Sequence, residues 1–231
     1  MISPIVGGHK FDINVIPYQA QLVANEENVT FCGASIINER WLLTAAHCLF
    51  LNIEIYHVRT GSDATREGVP RRIESAIPHP DYSEVTFEHD IGLIKLERSI
   101  KFDDKQRDIA LSTTEPEAHD VLIISGYGKQ LPMYKFDRRS MRAALVPVVN
   151  KTECRKHYAE IDRPIYDSTF CAGDGHSDAC EGDSGGPAVL SGKLVGIVSS
   201  GVGCLNNYFP GKYTRVDFHL EWIRNVTGLT F

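Results

Sequence analysis

Several features are missing from this chain of 231 residues, and each absence excludes a class of protein. There is no basic excess. Lys and Arg number 24 against 30 Asp and Glu, a formal net charge of −6, whereas a nucleic-acid-binding domain carries a surplus of cations. No apolar run approaches the roughly 20 residues of a membrane-spanning helix. Neither nucleic acid nor a membrane is therefore expected as a partner. None of the six cysteines falls in a CxxC pair, so the common zinc and redox spacings are absent and neither metal nor cofactor is expected. No internal repeat or low-complexity tract interrupts the chain. Met1–Pro4 is too short and too polar for a secretory signal and reads as a residual leader or propeptide, leaving 5–231 as a single domain.

What is present is a core-forming composition, 42% hydrophobic, in a chain long enough for one large domain or two packed halves. Six dispersed cysteines, Cys32, Cys48, Cys154, Cys171, Cys180 and Cys204, favour disulfides and an oxidising, extracellular compartment. Arithmetic alone leaves fifteen pairings open. Asn-x-Thr triplets at Asn28, Asn150 and Asn225 are compatible with secretion. Short apolar runs recur between turn residues: 18–24, 41–45, 53–58, 91–96, 121–125, 144–149, 193–198 and 212–216. Their β-branched content and spacing predict an all-β sandwich or barrel. The stretch 217–226, "DFHLEWIRNV", places Phe218, Trp222, Ile223 and Val226 on one helical face, with Asp217 as N-cap, and predicts a C-terminal helix on the β body. The polar stretch 101–120 reads as a connector between two strand-rich halves.

The chemistry concentrates in "DACEGDSGGPAVL", Asp178 to Leu190. Ser184 stands among glycines, in a loop open to an incoming carbonyl and with backbone N–H groups near by. A glycine-rich surface loop would look similar, so the partners of Ser184 decide. The sequence "GDSGG" also satisfies G-x-S-x-G, but that fold needs a strand before the serine and an acid and a histidine after it; "HSDACE" precedes and His219 alone follows. Of nine histidines, His9, His57, His119, His157, His176 and His219 read as surface or packing residues, and His79 lies in a turn. His47 differs, since it follows the apolar run of "WLLTAAHC" and adjoins Cys48. Asp90 opens the apolar run "DIGLIKL", where an unpaired buried carboxylate would be costly. Taken singly, each also fits a structural role.

Together, "IVGG", "TAAHC", "HDIGLIKL" and "GDSGGP" in this order resemble the trypsin/chymotrypsin family of serine endopeptidases, with a likeness to the trypsins of insects and mites. The resemblance runs from Ile5 to the C-terminal helix. It implies two six-stranded antiparallel barrels, about 5–110 and 111–231, with the active site between them. It implies Ser184 as nucleophile, His47 as base, Asp90 as orienting carboxylate, and the N–H groups of Gly182 and Ser184 as oxyanion hole. It also implies disulfides Cys32–Cys48, Cys154–Cys171 and Cys180–Cys204. Asp178, with Ala179, Gly201 and Gly211, would form a pocket favouring Arg or Lys before the cut bond. Ala179 lacks a hydroxyl, which tilts the preference towards Arg. Protein or peptide substrates and protein inhibitors would be the partners, and a secreted monomer is expected.

Departures from the family accompany the likeness. Ser200 stands where a cleft-lining tryptophan is usual, Tyr127 replaces another tryptophan, and Ala34 a glycine. The family's calcium loop would lie near 61–72, where its carboxylate ligands are not evident. Lys129, Lys135, Arg138, Arg139 and Arg142 make a basic loop. An inactive, binding or decoy homologue is the alternative these departures suggest. In the family, a freed isoleucine amine pairs with the aspartate before the serine, here Ile5 and Asp183. Pro4 is no site for a trypsin-like activator, so the expectation is a zymogen-like chain whose Asp183 points away from the Ile5 nitrogen or takes a histidine or lysine instead.

Overall fold

The apolar runs become strands that curl into two separate sheets, in a computed structural model describing residues 5–49, 52–128 and 140–231. The first sheet runs, edge to edge, Val69–Arg71, Tyr56–Thr60, Gln19–Ala24, Val29–Ile36, Trp41–Thr44, Gly92–Leu96, Ile73–Pro78. The second runs His9–Lys10, Arg142–Pro147, Val121–Gly126, Pro187–Leu190, Lys193–Ser200, Gly211–Arg215, Thr169–Ala172. Every neighbouring pair is antiparallel except the short strand Ala110–Leu111, which pairs parallel to Lys193–Leu194. The sheets hold seven and eight strands rather than six each, because two- and three-residue strands such as His9–Lys10 and Val69–Arg71 extend the edges. His9–Lys10 joins the second sheet, so the chain's beginning straps the half it does not otherwise belong to.

Each sheet curls around a core, and the first core also takes in Val189, Leu194 and Ile197 from the second sheet. The first is built on Leu22, Ile36, Leu42, Leu43, Leu93 and Ile94, all fully buried; the second on Leu122, Ile124, Val146, Phe170 and Tyr213. The connector 101–120 stitches the halves. The N–H of Ile109 donates to Ile36 in the first sheet (2.9 Å), and that of Ser112 to Leu194 in the second (2.9 Å). All three disulfides implied by the resemblance are present.

The C-terminal helix forms, as a 3-10 turn Asp217–His219 continuing into Leu220–Thr227 and ended by Gly228 at φ 72°. Ile223 is fully buried against the first core, with Trp222 and Val226 beside it. Two expectations fail here. Asp217 is not the N-cap, because its carboxylate is taken by the Arg215 guanidinium at 3.1 and 2.5 Å. Phe218 faces outward, 47% exposed, over Arg215 and beside His89. A second helix, Lys151–Ala159, was not foreseen. Its N-cap is Asn150, whose side chain accepts from the N–H groups of Thr152 and Glu153, so the residue read as a glycosylation triplet serves as a helix start.

Candidate active site

The strand Trp41–Thr44 delivers the chain into a 3-10 turn, Ala46–Leu49, that carries His47, and the disulfide from Cys48 to Cys32 pins that turn to its neighbouring strand. Closing a loop of 16 residues contributes roughly 3 kcal/mol in the chain-entropy view. Asp90 sits just before Gly92–Leu96 and is fully buried. Its carboxylate is fully employed. Oδ1 accepts the backbone N–H of His47 at 3.0 Å; Oδ2 lies 2.8 Å from His47 Nδ1 and accepts from Ser199 Oγ at 2.6 Å. A carboxylate cannot donate, so His47 Nδ1 carries the ring hydrogen and Nε2 is left as the acceptor. Ser199 comes from the second sheet, as does Thr214, whose hydroxyl donates to the Asp90 carbonyl at 2.8 Å. The aspartate thus binds the two halves at the place where they meet.

Ser184 approaches from the second half. The Gly33 N–H donates to its carbonyl at 2.8 Å, and Gly185 packs on Thr44 and Ala45, directly ahead of His47. No hydrogen bond joins Ser184 Oγ to the His47 ring in this state; such bonds commonly tighten only with substrate in place. The loop's backbone amides can be accounted for one by one. Those of Asp183, Gly185 and Gly186 donate to Cys180, Val198 and Asp183. Those of Gly182 and Ser184 have no acceptor among the described residues, and Gly182, at φ 93°, holds a conformation that suits glycine.

Beside Ser184 opens a cavity of about 280 Å³ whose lining includes Asp178, Ala179, Ser200, Gly201, Gly211 and Lys212. Asp178 is 5% exposed. Oδ2 accepts the Leu205 N–H at 2.9 Å, and Oδ1 has no partner. Burial pushes its carboxyl up to about 7, against the pull of the Leu205 and Ala179 amides. A Cβ at Gly211 would come within 3.1 Å of Asp178 Oδ1, so a side chain there would crowd the carboxylate.

Asp183 overturns the expectation of a carboxylate turned away. Ile5 is fully buried, and its backbone N–H donates to Asp183, beside those of Gly128 (2.8 Å) and Cys180 (3.0 Å). Among the described residues, these amide donors compensate the buried group without an ammonium, histidine or lysine. Burial still raises its carboxyl to about 6. Gly126 and Gly128 make the chamber, since a Cβ at either would overlap Asp183. The next residue, Val6, exchanges both backbone bonds with Asp178, at 2.8 and 3.0 Å, so this buried segment also holds the pocket floor. Ile5 takes φ 45°, a region a β-branched residue resists.

The family model described as Trypsin matches residues 5–223. The chain belongs to the trypsin family. It is 36% identical over 231 residues to Trypsin 5G1 of Aedes aegypti, spanning 97% of this chain and 85% of that one. It is 36% identical over 226 residues to Trypsin theta of Drosophila erecta (96% and 86%), and 37% over 228 residues to Trypsin-3 of Homo sapiens (96% and 72%). The protein is accordingly a trypsin-like serine endopeptidase, a hydrolase acting on protein substrates.

The departures from this family acquire physical accounts. Tyr127 is buried, and its hydroxyl donates to the Ser62 carbonyl at 2.6 Å, so the phenol is anchored and stays protonated. Ala34 is buried without exposure. In the stretch 61–72, the Arg71 guanidinium is held by side chains, donating to Thr60 Oγ1 at 2.8 Å and to Gln106 Oε1 at 2.6 Å. Arg142 is no loop cation but a strand residue donating to the Gly8 carbonyl at 3.2 Å; Lys129, Lys135, Arg138 and Arg139 lie outside the described residues. Lys212 is the residue sequence reasoning missed. It pairs directly across the sheet from Ser200, and its ammonium lies 5.4 Å from the Tyr158 ring and 5.9 Å from that of Phe87. It was visible only as one cation in "GKYTRV", and its meaning comes from the register that sets it opposite Ser200.

Proposed function

We propose that this trypsin-family protein is a secreted endopeptidase cleaving after Arg, and less readily Lys, through an acyl-enzyme on Ser184. The reading is supported by the hydrogen-bonded His47–Asp90 pair, by Gly185 packing Ser184's loop against Thr44 and Ala45 just ahead of His47, and by a pocket beside Ser184 lined by a buried carboxylate with one oxygen unpartnered. In the proposed reaction Ser184 Oγ attacks the carbonyl carbon while His47 Nε2 takes its proton. Asp90 holds the ring in the required tautomer and stabilises the imidazolium that forms. The oxyanion accepts from the free N–H groups of Gly182 and Ser184, a class of contact worth about 3–4 kcal/mol of barrier for each donor. His47 returns the proton to the leaving amine, and water repeats the sequence to release the acid.

The substrate's guanidinium would approach Asp178 Oδ1, the oxygen without a partner, and Ala179 leaves that contact to the carboxylate alone. Secretion is supported by three disulfides in the described chain. The test is hydrolysis of an arginine ester and an arginyl peptide by wild type, Ser184→Ala and Asp178→Ser. Wild type should turn over both, Ser184→Ala neither, and Asp178→Ser should lose the preference for a cationic side chain. Equal rates for wild type and Ser184→Ala would reject the enzyme reading in favour of a binding or decoy role.

A further inference from the structure

Away from the cleft, three histidines far apart in the sequence meet. One ring nitrogen of each of His79, His89 and His219 lies within 4.8 Å of one from each of the others. They come from the end of one strand, the turn ahead of Asp90, and the 3-10 turn that opens the C-terminal helix. His219 is 2% exposed, the other two half-buried.

The ring hydrogens can be placed by elimination. His219 Nδ1 lies 2.6 Å from the Arg215 carbonyl, which only accepts, so Nδ1 carries the hydrogen. With that hydrogen on Nδ1, Nε2 is the ring's acceptor and keeps its lone pair. That lone pair is 3.1 Å from His89 Nδ1. Two nitrogens each about 2.0–2.1 Å from a tetrahedral zinc ion lie roughly 3.3 Å apart. An ion can therefore take the place of the shared hydrogen with little movement. The His89 proton then moves to Nε2, which faces Glu88 Oε1 at 3.8 Å. A carbonyl behind one ligand and a carboxylate behind the other are the partners that fix metal-binding imidazoles. His79 is stacked on His89, ring centroids 4.9 Å apart, and its Nδ1 accepts the Asp81 N–H. It joins a shared ion by turning its side chain and giving up that bond.

The surrounding charge favours a cation. Asp81 acts on His79, Glu88 on His89, and Asp217 on His219, while Arg215 is held by Asp217 and Glu115. Neutral imidazoles suit zinc, copper and nickel rather than calcium or magnesium. We propose that His79, His89 and His219 form a binding site for a divalent first-row transition ion of the zinc class. The sequence reading expected no metal, because no cysteine pair has the common zinc spacing; the fold alone brings these three histidines together. His89 is joined by one peptide bond to Asp90, so an ion here bears on the group that orients His47.

The test uses the full chain, titrated with zinc chloride by calorimetry and with cobalt(II) by visible absorption. One equivalent should bind and raise the melting temperature. His89→Gln and His219→Asn should each weaken binding on the order of tenfold or more, since even outer-shell losses at metal sites cost that much. His79→Gln should weaken it less, and His47→Ala should leave it unchanged. His89→Gln, at a half-buried position, carries the test if His219→Asn fails to fold. No binding, binding untouched by His89→Gln, or binding abolished by His47→Ala would each overturn the proposal.

Discussion

Below pH 7 the pocket should lose its grip on cationic side chains. Asp178 is buried with one oxygen unsatisfied, and burial holds its carboxyl at about 7, helped by the neighbouring carboxylates Asp183 and Asp174 and opposed by the Leu205 and Ala179 amides. The sign follows directly. A raised carboxyl binds its proton more tightly, so as pH falls through 7 the site turns neutral and a bound cation loses its counter-charge. For a ligand that needs the ionised form, the apparent Kd rises about tenfold for each pH unit below the pKa, and about twofold at the pKa itself. The assay is binding of benzamidine, a small aromatic amidine, to Ser184→Ala protein by calorimetry between pH 5 and 8.5. Affinity should be level near pH 8, about tenfold weaker at pH 6, and weak and flat throughout in Asp178→Asn. A wild-type Kd independent of pH across 5.5–8, or a midpoint near 4, would refute the assignment of Asp178 as a high-pKa floor to the pocket.

Three further outcomes follow from particular contacts. Asn150→Ala removes the side chain that caps Lys151–Ala159 and should cost about 1 kcal/mol, read as a fall of roughly 2–4 °C in Tm; an unchanged Tm would show the cap to be idle. Ser200→Trp should raise kcat/KM on tripeptides more than on single-residue esters, and its gain should grow when Lys212→Val clears the cross-strand position, with a coupling of at least about 0.5 kcal/mol; additive effects would separate the two residues. Cutting the Pro4–Ile5 bond should raise activity, because the Ile5 amide that now donates to Asp183 becomes an ammonium facing a buried carboxylate; equal activity from protein whose N-terminal sequence reads Met-Ile-Ser-Pro would contradict this.

Much of the fold could be read from short-range pattern. Val121–Gly126 and Lys193–Ser200 announce themselves as β-branched runs between turn residues, and Ile223 as the buried stripe of a helix. Lys151–Ala159 did not, because "KTECRKHYA" carries two buried side chains, Cys154 and Tyr158, and so lacks a wide apolar face. Asp217 misled for a related reason: a cap residue two positions from an arginine can be drawn to the guanidinium instead. Of the candidate site, motif order singles out His47, Asp90, Ser184 and Asp178. The Ile5–Asp183 contact was misjudged, since peptide N–H groups from three separate segments supply what a charge was expected to supply, and no sequence pattern counts them. Lys212 and the histidine trio depend on register and on the meeting of distant segments, which only the folded chain displays.

The central claim is that Ser184 is a nucleophile made reactive by His47 held on Asp90. Active-site titration with a fluorophosphonate, read by intact mass and peptide mapping, tests it most directly. The account predicts one adduct per chain, on Ser184, abolished in Ser184→Ala and slowed by orders of magnitude in His47→Ala. Folded wild-type protein that stays unlabelled, or that is labelled at another residue, would contradict it.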